Sequence, residues 1–170
     1  MPTRIKIALS SCLLGNAVRY DGQAKRNDKL INQLSSDFEL VAVCPEVMAG
    51  LGVPRAKIQL VKVGYDIRAL GVDDAHLDVS DKLMRTADEF IFHNKDICGL
   101  ILKSKSPSCG LGSTKIFDQY NNIIDYGMGL FANNMRVKDI GFPIAEDTQL
   151  GKVDELNLFC QQVRKYAKKP

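Results

Sequence analysis

The stretch IALSSCLLG, residues 7–15, decides how this chain is read: a short apolar run that ends in a cysteine and a glycine turn. The pattern returns twice, in ELVAVCPE at 39–46 and in GLILKSKSPSCG at 99–110. The second run is apolar almost without alternation, the pattern of a strand covered on both faces, as in a parallel sheet. If the three are neighbouring strands, Cys12, Cys44 and Cys109 meet at the C-terminal edge, where such sheets bind ligands. Three converging thiolates suit a metal or an iron–sulfur cluster with one coordination position left open.

Between these runs lie helical patterns. A helix is predicted to begin at Asn27 or Asp28, with Leu30, Ile31 and Leu34 on its buried face. A second runs from Val79 to about Lys95, where Leu83, Ala87, Phe90 and Ile91 recur at helical spacing and Asp78 or Ser80 is the expected N-cap. A short helix over 128–138, a strand over 142–145 and a last helix over 153–166 follow. VMAGLGVPRAK (47–57) reads as loop, and IQLVKVGYDIRAL (58–70) as a hairpin or two short strands. TKIFDQYNNIIDYG (114–127) reads as a hairpin, because Asn121 and Asn122 tolerate the left-handed turn conformation. Alternating strands and helices predict an α/β fold. The expectation is a single Rossmann-like domain over 1–170, a mostly parallel sheet flanked by helices, plus a small β-hairpin.

Composition excludes several function classes. The net charge is only +3, and much of it comes from Arg164, Lys165, Lys168 and Lys169 at the end of the last helix. No basic stripe with interleaved aromatics is present, so nucleic acid is not an expected partner. The opening MPTRIKIALSSCLLG is interrupted by Lys6, Ser10 and Ser11 and reads as a first strand rather than a signal peptide. No apolar stretch is long enough to span a bilayer, so a cytoplasmic protein with no membrane partner is expected. Five cysteines, an odd number, argue against a disulfide framework and for metal binding, catalysis or burial.

The five separate by context. Cys98, at the entry to a strand, and Cys160, on a helix with Leu156, Phe159 and Val163, read as core residues. Cys12, Cys44 and Cys109 lie in turns, where a thiol can be exposed, and Arg19, Arg55, Lys103 and Lys105 stand in the same loops to favour thiolates. No Cys-x-x-Cys pair occurs, and His76 and His93 fall outside these loops, which weakens a zinc reading. A non-catalytic zinc or cluster-binding module, structural or redox-sensing, stays open beside an enzyme. A third reading makes Cys12 the nucleophile of a phosphatase-like hydrolase with Arg19 cradling phosphate. The Cys12-to-Arg19 spacing is one residue too long for that loop, and Cys44 and Cys109 are left without a role.

Together the segments SSCLLGNAVRYDG (10–22), VCPEVMAGLGVPR (43–55) and KSKSPSCG (103–110), with HLDVSD (76–81) and YGMGLFA (126–132), resemble the thiouracil desulfurase family. The resemblance implies a [4Fe-4S] cluster with three protein ligands, Cys12, Cys44 and Cys109, and one open iron to take the sulfur of a small thiolated nucleobase. It further implies that water replaces that sulfur, releasing sulfide, with Glu46 as catalytic acid/base and Ser106 as proton-relaying hydroxyl. Arg19, Arg55, Lys103 and Ser108 are candidates for substrate binding. Two departures, the irregular 64–74 segment and Ser80 where threonine is usual, are expected to alter the substrate pocket rather than the cluster.

Overall fold

The computed structural model describes residues 3–170. The first strand, β1 (Lys6–Ser10), pairs in parallel with β2 (Glu39–Val43) on one side and β5 (Ile97–Leu102) on the other. A fourth parallel strand, β8 (Ile144–Glu146), joins the far edge of β5, giving the order β2-β1-β5-β8. The three cysteine-bearing runs are therefore adjacent strands of one parallel sheet.

Alternate side chains of this sheet point to opposite faces, and both faces are covered. Ile7, Leu9 and Ile101 pack with Leu30 and Leu34 of α1 (Asp28–Leu34) and with Phe159 and Val163 of α5 (Val153–Ala167). Ala8, Leu100 and Leu102 pack on the other side with Ala87 and Phe90 of α3 (Ser80–His93) and with Phe131 and Met135 of α4 (Leu130–Val137). Gly99 is needed where α5 crosses β5, since a Cβ there would lie 2.7 Å from Cγ2 of Val163. Cys160 is buried in the α5 core and Cys98 packs partly buried against it.

The predicted hairpins are both present and join into a second four-stranded sheet. β3 (Ile58–Val63) and β4 (Asp66–Gly71) form one antiparallel pair, β6 (Leu111–Phe117) and β7 (Ile123–Met128) the other. The two meet through a short parallel contact in which Leu60 opposes Ile116 and Val61 opposes Phe117. Asn121 takes the left-handed turn conformation, φ 66°. Leu60, Ala69 and Ile116 pack this sheet on Leu83 of α3 and Leu130 of α4.

Three local expectations are corrected. The first two residues of the expected 47–57 loop belong to a short helix, α2 (Pro45–Met48), which Pro45 can start because its missing N–H is one the first turn leaves unpaired. β7 continues through Met128, paired with Leu111, so the next helix starts two residues later than its periodicity suggests. The N-cap of α3 is Val79; Asp78 acts from one residue further out by accepting the Ser80 amide at 2.9 Å.

Candidate active site

Because all four strands of the first sheet run the same way, the segments leaving β1, β2 and β5 emerge at one edge. Cys12 follows β1 in a 3-10 turn, Ser11–Leu14, anchored by the buried Ser11 and Leu13. Cys44 follows β2 directly and is the N-cap of α2. Cys109 lies in the turn after β5, between the buried Ser108 and Gly110. These segments surround a cavity of about 450 Å³. Cys12, Cys44, Cys109, Glu46, Ser106, Ser108, Arg19, Arg55 and Lys103 all line it, so every site residue expected from sequence is brought to one place. Lys105 lines it as well.

The thiols are poor acids in this setting. Burial pushes the Cys12 thiol up, Lys103 and Arg19 pull it back, and a charge on Cys44 would raise it further. Burial also raises Cys44, opposed by the Val47 amide at the start of α2 and by Arg55. Cys109, the most enclosed, is raised most, by burial and by its proximity to Cys44, Glu46 and Cys12, with the Ser10 hydroxyl opposing. Three sulfurs that repel one another's charge need a cationic partner to become thiolates together, and a bound metal centre would supply it.

Glu46 sits in the first turn of α2 beside Cys44. Its Oε2 accepts from Arg55 Nε at 2.6 Å and its Oε1 from the Ser108 hydroxyl at 2.7 Å. Arg55 also donates from Nη1 to the carbonyls of Val18 (2.8 Å) and Gly52 (2.9 Å), tying the Cys12 and Cys44 loops together. Ser106 Oγ accepts the amides of Ser108 (3.2 Å) and Cys109 (3.0 Å). Both hydroxyl lone pairs are thus engaged, and its proton is the remaining hydrogen-bonding capacity.

The cations differ in how far the protein occupies them. Lys103 Nζ donates to the Ser104 hydroxyl at 3.1 Å and lies 3.7 Å from Asp147 Oδ2. Arg19 lies over the ring of Tyr20, its Cζ 5.8 Å from the centroid. Arg19 Nε is buried without a hydrogen-bond partner, its nearest carboxylate oxygen being Asp21 Oδ1 at 3.6 Å.

Sequence reasoning missed three contributors. Ser10 lines the cavity and its Oγ accepts the Lys103 amide at 2.8 Å. Tyr20 is the cavity's aromatic wall, and Asp147 supports Lys103 from outside. Ser10 reads as the end of a strand, and nothing local in YDG or EDT marks the other two. The two departures do not touch the cavity. The 64–74 segment is the turn and second strand of the β3–β4 hairpin, and Ser80 is wholly buried, accepting the Ala69 amide at 2.8 Å and donating to Asp78 at 2.6 Å.

The donor set fits a cluster better than a single ion. Among the described residues no three His, Cys, Asp or Glu side chains converge closely enough to hold one metal ion. Three thiols ringing a cavity of this volume leave room for a larger inorganic body, and soft thiolates are the ligands that iron–sulfur clusters take.

A family model described as 2-thiouracil desulfurase matches residues 7–147, which contain all three cysteine loops, β2, β5 and all of β1 but Lys6. The chain belongs to the 2-thiouracil desulfurase family. A solved structure of the [4Fe-4S]-dependent thiouracil desulfidase TudS superposes with a TM-score of 0.73 at 30% identity, covering 93% of this chain and 99% of that one. The uncharacterized protein YbbK of Bacillus subtilis (strain 168) is 34% identical over 112 residues, 62% of this chain and 74% of its own. Among the described residues no helix is long and apolar enough to cross a membrane.

Proposed function

We propose that the protein is a [4Fe-4S]-dependent desulfurase that replaces the thiocarbonyl sulfur of thiouracil-like nucleobases by oxygen and releases sulfide. The observation that carries this reading is the convergence of three cysteines with Glu46 and Ser106 in one cavity, in a chain of this family. Cys12, Cys44 and Cys109 would hold the cluster, which would leave one iron without a protein ligand. When bound, the cluster supplies a soft Lewis-acidic site for the sulfur of the substrate.

The protein's own groups handle water and protons. Overall, one water adds its oxygen to the ring carbon, the carbon–sulfur bond breaks, and the water's two protons leave with the sulfur. Glu46, fixed by Arg55 and Ser108, takes a proton from the attacking water. Ser106, whose oxygen accepts two amides, directs its proton into the cavity toward the ring nitrogen or the departing sulfur. Arg19 lines the cavity where the substrate binds, and Lys103 and Arg55 add positive charge to its wall.

Anaerobic reconstitution with iron and sulfide, followed by addition of thiouracil, tests the proposal. The expected result is broad visible cluster absorption together with stoichiometric sulfide release. Zinc uptake without colour, or a cluster without turnover, supports the non-catalytic module. Phosphoester hydrolysis that survives Cys109→Ala supports the Cys12 hydrolase.

A further inference from the structure

The turn that carries Ser106, Ser108 and Cys109 is held on both sides by two adjacent carboxylates. Glu146, the last residue of β8, stands in register with Leu102, the last residue of β5, so Glu146 and Asp147 lie beside the segment that leaves β5. Asp147 Oδ1 accepts the Ser104 amide at 2.8 Å. Glu146 Oε1 accepts the Leu111 amide at 2.5 Å and the Ser113 hydroxyl. Ser113 Oγ in turn accepts the Lys105 amide at 2.7 Å, which helps hold Lys105 in the left-handed region at φ 63°. The amides of 104 on the way into the turn and of 111 on the way out thus end on one dipeptide, and that of 105 is linked to it through the Ser113 hydroxyl.

Glu146 is only 4% exposed, so its carboxylate is out of water and satisfied by protein donors. Besides the contacts above, it takes part in a reciprocal capping box with Gln149, whose Oε1 accepts the Glu146 amide at 2.9 Å, and Thr148 Oγ1 is 3.4 Å from Oε2. A carboxylate buried this far persists where its hydrogen bonds are complete. Here the donors come mainly from two places, the turn that follows β8 and the loop that bears Cys109.

We propose that Glu146 and Asp147 are positioning residues for desulfuration, fixing the entry and exit of the 106–110 turn so that the Cys109 sulfur and the Ser106 hydroxyl keep their places in the cavity. The inference rests on the reading that Cys109 binds the cluster and Ser106 moves a proton. It separates hydrogen-bond positioning from an effect of charge on Lys103, because Asp147→Asn keeps an oxygen for the Ser104 amide and removes the charge, whereas Asp147→Ala removes both.

The test uses the reconstituted full chain and reads three quantities: kcat and KM on thiouracil, the visible circular dichroism of the cluster, and amide hydrogen exchange across 103–113. Asp147→Ala is expected to lower kcat about 10- to 100-fold, the range found when outer-shell partners of metal ligands are removed. KM should hold, and exchange at Ser104 should quicken about tenfold, as expected when one hydrogen bond is lost. Asp147→Asn should stay within about threefold of the parent on every readout, and Glu146→Ala, which takes away the oxygen that accepts from Leu111 and Ser113, should exchange faster at Leu111 and Lys105. Unchanged exchange and an unchanged cluster spectrum in Asp147→Ala and Glu146→Ala would overturn the proposal, as would Asp147→Asn falling as far as Asp147→Ala. If the parent protein binds a cluster but turns over no thiouracil, the desulfurase reading fails by itself. The exchange and dichroism readouts then still decide the positioning proposal, which stands if they change as described and falls if they do not.

Discussion

Arg55 donates from Nε to Oε2 of Glu46 across 2.6 Å, and the two side chains are only 6% and 12% exposed. Taking one partner away leaves a charge in the cavity wall, so Glu46→Ala combines two losses. The orphaned Arg55 costs about 3–5 kcal/mol of stability when such a pair is broken, and the proposed base is gone. Glu46→Gln separates them, since the amide oxygen still accepts one donor. The expected outcome for Glu46→Gln is full cluster absorption with kcat on thiouracil reduced by a factor on the order of 10²–10⁴. Loss of colour would instead make Glu46 part of the cluster's support.

The five cysteines are expected to divide three against two. Serine at position 12, 44 or 109 removes a soft ligand from the cavity, and iron and sulfide content after reconstitution should fall sharply in each variant. Serine at position 98 or 160 should leave the iron count unchanged. Cys160 is 8% exposed among Leu156, Phe159 and Val163, so its hydroxyl replacement should lower stability by about 1–3 kcal/mol. Metal analysis and thermal melting of the five variants check both halves.

The parts of the site that were legible in the sequence share one property: the signal is local. An apolar run ending in a cysteine and a turn fixes both the strand and the edge where the thiol emerges, and this holds for Cys12, Cys44 and Cys109. The second sheet was legible only as separate hairpins, because its two halves meet through just the Leu60–Ile116 and Val61–Phe117 pairs. Residues 56 positions apart carry no periodic sign of such a contact. The α2 helix around Glu46 is four residues long, too short for helical periodicity to register. Asp147 was invisible for a third reason: its partner, the Ser104 amide, is a backbone group 43 residues away.

Gly129 tests how tightly the Cys109 turn is seated. Its own amide donates to the Gly110 carbonyl at 2.7 Å, and the next amides of α4, Leu130 and Ala132, donate to Pro107 (3.0 Å) and Ser108 (3.1 Å). A Cβ at position 129 would lie 2.4 Å from the Ser108 carbonyl carbon and 2.7 Å from the Cys109 amide nitrogen. Backbone cannot yield as a side-chain tip can, so Gly129→Ala must push the helix start and the turn apart. The expected outcome is a stability loss of about 1–3 kcal/mol, as for overpacking. It should come with a cluster lost faster in air than from the parent protein, followed as bleaching of visible absorption. Alanine at Gly151, whose added Cβ would meet only the Thr148 oxygen at 3.6 Å, serves as the control.

Asp78 gives a pH dependence that lies away from the thiols. Burial pushes its carboxyl up, but the Ser80 hydroxyl and amide and the Arg68 guanidinium outweigh this and hold it below the ordinary carboxylate value. The same Ser80 hydroxyl accepts the Ala69 amide, so this cluster joins β4 to the start of α3. A carboxyl whose folded pKa is depressed adds stability in full above its unfolded pKa, about 4, and loses it as pH falls through the folded value. Asp78→Asn keeps an oxygen for the Ser80 amide and gives up the charge facing Arg68. The stability gap between parent and variant should therefore be widest near neutral pH, narrow below about pH 4 and close in stronger acid. Urea unfolding of both proteins at pH 7 and pH 3 measures it. An equal gap at the two pH values would mean that Asp78 acts through shape and hydrogen bonding alone.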